Sequence, residues 1–431
     1  MPKTKVSLDV TNLNNFVYDM SHCIKCKGCT WIDHVYMPGI DFSTKCPSAT
    51  KNVWDSYGAY GKMRIGVALS EGKLKFTDEL LKILYECTLC GACDVGCKRN
   101  LDLEIELSLE ALRVKAVEEG AGPMPEHKKI AANIKKTHNR FGAPHGDRQK
   151  WLPEGVKPSL KADVLYFTGC STSYRHKEIA KATVKILGSS KTPFMLMPDE
   201  WCCGNVVYSV GMIDQAREIA KRNVDVIKAS GASTVLTTCA ECYRTLKVDY
   251  PKLLGISTSD LGFEVVHLVE FVDRLLKKGS LKLKKSVDLE LHYHDSCSLS
   301  RQSEPWVEWS GERGLWGVVS PSLERRRGSN GIYEMPREIL KAVPGIKLID
   351  GIRKNENAWC CGAGRGARDA FPDFTKWTAD EKIREVKQIG ASAITATCPY
   401  CKETLAAASA SSGEKLQVLD FSEIIAKAIS G

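Results

Sequence analysis

The sequence predicts a helical N-terminal domain followed by a duplicated α/β module built on parallel sheets. Three observations carry that prediction. Before Gly120, apolar residues recur at helical spacing. Gly231–Leu246 (GASTVLTTCAECYRTL) and Gly390–Leu405 (GASAITATCPYCKETL) share eight of sixteen positions at a constant offset of 159. Trp-Cys-Cys-Gly stands at Trp201–Gly204 and again at Trp359–Gly362. Matches of that kind mean one structural unit copied.

In the first part, Leu80, Leu81 and Leu84 predict a helix from Asp78 that continues through Tyr85 to Cys93. A second helix runs from Leu103 to Glu119, with Ile105, Leu109, Leu112 and Ala116 on one face and Gly120 as its stop. Residues 122–160 hold Pro123, Pro125, Pro144, Pro153 and Pro158 among many Lys and His, and read as a linker with one short helix over Ile130–Ile134. In the first copy, Val164–Phe167, Phe194–Met197 and Thr234–Thr238 are strands. Ile179 to Leu187 and Met212–Lys228 are the helices between them. The second copy has strands at Leu289–His294, Ile346–Ile349 and Ala393–Thr397. Strands alternating with helices give a parallel, Rossmann-like sheet. The expected domains are 1–121, a linker over 122–160, and modules over 161–284 and 285–431.

Composition narrows the class. Hydrophobic residues make up 43% and charged residues 26% of 431, an ordinary globular balance that excludes a mainly disordered chain. The longest apolar stretches fall far below the ~20 residues of a helical membrane span. Met1–Val10 has no apolar run behind its lysines, so no secretory signal is expected. The expected location is cytoplasmic, with membrane association only through a partner subunit. Disulfides are rare there, yet the chain has 18 cysteines.

Every cysteine falls into one of four groups. Cys23, Cys26 and Cys29 are spaced by two residues, and Cys46-Pro47 follows after sixteen. Cys87, Cys90 and Cys93 repeat that spacing, with Cys97 after three more. A cubane cluster needs four thiolates, three of which one short loop can supply. In two-cluster chains the fourth comes from the other motif. Cys23, Cys26, Cys29 and Cys97 are therefore expected on one [4Fe–4S] cluster, and Cys87, Cys90, Cys93 and Cys46 on the other. Structural zinc also uses paired C-x2-C, but not three evenly spaced cysteines twice over. Gly28 and Gly91 are expected where the loop backbone passes close to a cluster. The third group is Cys170, Cys202–Cys203 and Cys239-x2-Cys242; the fourth is Cys297, Cys360–Cys361 and Cys398-x2-Cys401. They lie just after strands, where open α/β sheets bind ligands. Adjacent thiolates suit neighbouring metal atoms of one cluster and are awkward for tetrahedral zinc, so spacing alone points to an unusual iron–sulfur centre in each copy.

The duplicated CCG motif, CX31CCGX34CXXC in the first copy, behind a two-cluster segment resembles the heterodisulfide reductase catalytic subunit of the fused type, or a close relative in another anaerobic redox complex. The resemblance implies an α-helical ferredoxin-like domain before two CCG domains. It implies a noncubane [4Fe–4S] cluster on Cys170, Cys202, Cys203, Cys239 and Cys242, and a second on Cys297, Cys360, Cys361, Cys398 and Cys401. It implies disulfide chemistry between the two, with the cubanes as the wire. The alternative is an electron-relay subunit without disulfide chemistry of its own, as in aromatic acyl-CoA reductases or quinone-linked dehydrogenases. Expected partners are flavin, hydrogenase-type, tungsten or cytochrome subunits, with a thiol or disulfide small molecule.

The second copy departs from the first. It has 62 residues between Cys297 and Cys360 where the first has 31 between Cys170 and Cys202. Gln302–Gly328 is the insertion, with Trp306, Trp309, Trp316 and Arg325–Arg327. It reads as a lid, a docking arm or a solvated loop. No catalytic side chain is expected beyond the cluster ligands except His294, either as proton supply to a leaving thiolate or as a brace for the cysteine loop. Trp201 and Trp359 shield clusters or simply pack. Arg175 and Arg301 follow their leading cysteines by five and four residues. The net charge of +9 comes with no nucleic-acid-binding motif and suits acidic redox partners.

Overall fold

In the computed structural model the described residues are 9–32, 39–98, 101–197, 199–305, 308–309, 311–314, 318–321, 328–413 and 416–429. Up to Glu118 the described regular elements are all helices apart from one isolated bridge of Trp31 with Thr44, and include Pro47–Asn52, Ala59–Ser70, Asp78–Tyr85, Ala92–Lys98 and Ile105–Glu118. Thr77 caps the third of these by accepting the Leu80 amide, with Asp78 and Glu79 in the first turn. This helix does not run on to Cys93 as its periodicity suggests. It stops at Tyr85, where Glu86 leaves helical geometry at ψ 51°, and Leu89 and Gly91 beyond it take φ of 43° and 74°, which a right-handed helix excludes. Ile105–Glu118 is buried on nearly every face, Glu106, Glu110 and Arg113 included. An all-buried helix belongs at the centre of a larger body, and this one packs against both modules.

The first module is a parallel sheet of β1 (Val164–Tyr166), β2 (Phe194–Leu196), β3 (Thr234–Thr237) and β4 (Glu264–His267), in the order β2-β1-β3-β4. The second begins with β5 (Leu289–His294), then carries a small antiparallel ribbon of β6 (Glu312–Arg313) and β7 (Val319–Ser320). It continues with β8 (Ile346–Leu348), β9 (Ala393–Ala396) and β10 (Gln417–Asp420), in the parallel order β10-β9-β5-β8. Read from the other edge this is the same order, so the duplication extends to topology. The outer strands β4 and β10 have no strong signal in the sequence: each is four residues long and begins with an exposed polar side chain. In both modules the chain direction across the sheet reverses between the first and third strands. Loops leaving those two carboxyl ends diverge and leave a crevice, and the leading and CxxC cysteines follow them.

The modules face each other through several polar ties. His267 Nε2 donates to the Thr397 carbonyl at 3.1 Å. Lys402 pairs with Glu178 at 2.7 Å, and Lys185 donates to the Ala426 carbonyl at 2.7 Å. One apolar cluster includes residues from Val10 to Ile429 and spans the helical region and both modules.

Residues 122–160 are more than a linker. A helix covers Pro125–Thr137, with Pro125 at its first position and His138 ending it at φ 58°. Its buried side chains are His127, Ile130, Ala131 and Ile134, a helical stripe that the surrounding lysines and prolines obscure. The following loop can be buried because Asn139 satisfies its backbone, accepting from Phe141 and Ala143 and donating to Thr137 and Ala143. Arg140, Arg148 and Trp151 are buried there too.

Of the insertion, Gln302 is buried and donates to the Leu89 carbonyl at 2.9 Å and to Glu106 at 2.6 Å. Glu304 holds the far end by accepting the Gly328 and Asn330 amides. Trp306, Trp316 and Arg325–Arg327 lie outside the described residues. Among the described residues no helix is long and apolar enough to cross a membrane.

Candidate metal centres

Both short cysteine loops fold the same way. In Cys23–Cys29 the positive φ values fall on Lys25 (57°) and Lys27 (62°), and in Cys87–Cys93 on Leu89 (43°) and Gly91 (74°). These are equivalent positions of the two motifs. Alternating backbone handedness turns successive amides inward, a nest that suits an anionic group. Gly91 takes the expected role, but in the first loop Lys27 does, and Gly28 packs elsewhere. A Cβ on Gly96 would lie 2.4 Å from the Gly28 carbonyl oxygen. That approach seats the first loop against the helix Ala92–Lys98, which carries Cys97.

Cys46, Cys87, Cys90 and Cys93 line one cavity of 430 Å³, with Lys62 on its wall. Cys46 is the cap residue of helix Pro47–Asn52. Burial pushes its thiol up to about 12, opposed by the Lys62 ammonium. Lys62 is itself buried and donates to Ser48 Oγ at 3.2 Å and to the Tyr57 carbonyl. A thiol so buried ionises only with a cation or metal beside it.

Each five-cysteine group closes on its own cavity. Cys170, Cys202, Cys203, Cys239 and Cys242 line 340 Å³ of empty space. Cys297, Cys360, Cys361, Cys398 and Cys401 line 260 Å³. The paired cysteines end in Gly204 and Gly362, at φ 81° and 87°, a conformation that lets two adjacent thiols face one site. In each pair the first sulfur lies near the glycine amide: Gly204 N to Cys202 Sγ is 3.5 Å and Gly362 N to Cys360 Sγ is 3.4 Å. Cys239 and Cys398 are helix cap residues; burial pushes the Cys239 thiol up, whereas hydrogen bonds with Cys239 and Cys401 outweigh burial and hold Cys398 well below the usual thiol range. The second cysteine of each pair is the acidic one. Hydrogen bonds from Cys202 and Cys242 hold Cys203 at about 5, and Cys360 and Cys401 hold Cys361 well below the usual thiol range.

The centres adjoin. Cys90 hydrogen-bonds Cys360, which brings it to about 5, and Arg301 lies close enough to lower it further. Cys239 hydrogen-bonds Cys398 across the module boundary. Arg301 is 1% exposed and donates to the carbonyls of Cys90 (2.6 Å), Ala358 (2.7 Å) and Glu356 (3.1 Å). Arg175 is not its counterpart: it is exposed, and in the copied alignment Tyr174 stands opposite Arg301. Beside the first module's cavity, Arg148 donates to Glu200 at 2.7 Å and approaches Cys170 Sγ at 3.6 Å.

Residues that sequence reading missed fill the space between the two five-cysteine cavities. Glu241 and Tyr400 each line both. They are the third residues of the two CxxC turns, related by the same offset of 159, so the duplication itself held the signal. Burial pushes the Glu241 carboxyl up to about 8, reinforced by Cys398. Tyr400 accepts a 2.7 Å hydrogen bond from Arg140, which Asp369 holds at 2.5 Å. His292 donates to the Ile349 carbonyl at 3.1 Å. Trp359 is fully buried and donates to the Thr378 carbonyl at 2.8 Å, whereas Trp201 stacks on His138 at 3.8 Å. Pro399 opens the helix Pro399–Ser411.

Comparison with known proteins agrees with this organisation. The family described as 4Fe-4S dicluster domain matches residues 19–101, and the family described as Cysteine-rich domain (CCG) matches 164–247 and 323–406. A subunit of the dihydromethanophenazine:CoB–CoM heterodisulfide reductase of Methanosarcina acetivorans is 32% identical over 440 residues, covering 100% of this chain and 99% of that protein. EtfAB:quinone oxidoreductase of Syntrophomonas wolfei is 26% identical over 368 residues, 80% of this chain and 46% of the relative. A crystal structure of a hypothetical protein from Helicobacter pylori shares the fold, with a TM-score of 0.55, 12% identity, and coverage of 88% of this chain and 69% of that one.

Proposed function

Because the chain belongs to the heterodisulfide reductase family of iron–sulfur oxidoreductases, we propose that it passes electrons from two cubane [4Fe–4S] clusters to two noncubane [4Fe–4S] clusters for reduction of a heterodisulfide-type disulfide, or the reverse. The observation that carries this reading is the run of adjoining cysteine cavities: Cys90, which lines the first, packs with Cys360 and Cys297 of the second module, and Glu241 and Tyr400 line both five-cysteine cavities. Cys23, Cys26, Cys29 and Cys97 hold the outer cubane and Cys46, Cys87, Cys90 and Cys93 the inner one. Cys170, Cys202, Cys203, Cys239 and Cys242 hold one noncubane centre, and Cys297, Cys360, Cys361, Cys398 and Cys401 the other. Bound there, the clusters supply one-electron carriage and thiophilic iron.

The chain's own residues set the route. Cys26 is the exposed cysteine of the outer group, which makes that end the entry from a donor subunit. The Cys90–Cys360 contact makes the second module the first of the two to receive electrons. The Cys239–Cys398 contact hands on to the first module. The balance is one disulfide plus two electrons from an external one-electron donor and two protons, giving two thiols. The switch in strand order supports a doubly wound, Rossmann-like sheet in each module, with domains over 1–121, 161–284 and 285–431 and the packed segment 122–160 between. Partners are other redox subunits in the cytoplasm.

The test is anaerobic holoprotein with a reduced viologen dye and a mixed thiol disulfide. Two thiols released per two electrons are expected; no thiol with clusters intact overturns the disulfide reading. Similarity to the quinone oxidoreductase favours a second reading, a relay subunit without disulfide chemistry, which that same negative result would support.

A further inference from the structure

Among the differences between the two five-cysteine sites, one lies three residues before each leading cysteine. Strand register aligns them: Val164 lies opposite Thr234, and Leu291 lies opposite Ala393, the copied equivalent of Thr234. Three residues on, the first module has Phe167 and the second has His294. Both are buried, at 0% and 1% exposure. One ring nitrogen of His294 and the sulfurs of Cys361 and Cys401 all lie within 4.8 Å of one another. His294 Nδ1 is buried and has no hydrogen-bond partner among the described residues. In the first module the equivalent sulfurs, Cys203 and Cys242, are 3.4 Å apart, and the equivalent residue Phe167 has a phenyl ring with no donor.

On the reading that both sites hold iron–sulfur clusters, we propose that His294 makes the two centres unequal. Its imidazole N–H donates to a sulfur of the second module's centre and raises that centre's reduction potential above that of the first. A hydrogen bond to cluster sulfur draws electron density away from iron and stabilises the reduced state. Phe167 can give no such bond. His294 is thus a positioning and tuning residue rather than a ligand, since five thiolates already close its site. The consequence is a resting place: the centre beside Cys90 holds the first electron until the second arrives.

The experiment is an anaerobic redox titration of the holoprotein followed by electron paramagnetic resonance. Iron and sulfide content of the unaltered chain is measured first; absence of iron sinks the cluster reading itself. With iron present, two distinct noncubane midpoints are expected. His294→Phe, which copies the first module, should shift the higher midpoint down toward the lower at unchanged iron content. His294→Gln, which keeps an N–H donor, should restore part of the gap. Unchanged midpoints in His294→Phe overturn the proposal. Loss of iron in both variants also overturns it, by making His294 a ligand or a structural brace.

Discussion

Replacing Arg244 by Met isolates the buried charge network that joins the three parts of the chain. Arg244 is 0% exposed, and its Nη2 lies 2.9 Å from Glu110, 3.1 Å from Glu106 and 3.3 Å from Asp249. Lys252 pairs with Asp249 at 3.1 Å and Glu110 at 3.5 Å, and Arg365 with Glu106 at 3.4 Å. Three carboxylates thus face three cations, and Arg244→Met leaves one negative charge uncompensated. The cheapest response is for one carboxyl to bind a proton. Asp249 is the group that does so, because burial already raises it and Arg244 is the main influence holding it down. Keeping a proton at pH 7 on an acid whose unfolded value is about 3.9 costs about 1.4 kcal/mol for each of roughly three pH units, about 4 kcal/mol in all. This matches the ~3–5 kcal/mol seen when one partner of a buried pair is removed. The folded variant then carries one proton more than its unfolded form, so its deficit must shrink as pH falls, by about 1.4 kcal/mol per unit down to about pH 4. The assay is guanidinium unfolding of the holoprotein under argon, followed by tryptophan fluorescence at several pH values and referenced to the parent chain. Adding Asp249→Asn should remove the pH dependence and recover most of the loss. A deficit that does not change with pH, or no recovery in the double variant, refutes the reasoning.

Other perturbations test other links. Cys46→Ala should lower iron content by about four from about sixteen and remove one cubane signal, leaving the spectrum of the five-cysteine sites intact. Arg301→Leu removes a buried cation between Cys90 and Cys360 and leaves three carbonyls unpaired; stability should fall by about 3 kcal/mol, and reduction potentials on both sides should fall, read by the same titration. His176 sits between Glu178 at 3.2 Å and Glu403 at 3.7 Å, whose charges outweigh its burial and raise it to about 9. Its stabilising contribution is complete below about pH 6.5 and is lost as pH rises toward 9. Thermal stability should therefore decline over that window by at most about 2 kcal/mol after allowing for solvent screening, and His176→Gln should flatten the slope.

Much of the site is legible because ligand spacing is a local property. Three cysteines two residues apart can wrap a cluster only through a tight loop, and both loops have the same pair of left-handed positions. Cys46 illustrates the limit. Its sixteen-residue gap from Cys29 says nothing of where it lands, and helix Pro47–Asn52 had to carry it to the Cys87–Cys93 loop. The segment 122–160 was misleading for a related reason. Its prolines mark a helix start and turns around buried residues, and only the partners of Asn139, Arg140 and Arg148 show that a charged, proline-rich stretch is interior.

The sequence by itself determined the four cysteine groups, the duplication, the first three strands of each module and the family to which the chain belongs. These rest on periodicity and spacing within tens of residues. The tertiary structure decided which group meets which: Cys90 with Cys360, Cys239 with Cys398, Glu241 and Tyr400 between the two cavities, and Arg244 among Glu106, Glu110 and Asp249. Those pairs lie as much as 270 residues apart. A buried charge or thiol is stable only beside a specific partner, and chain folding alone brings that partner to it.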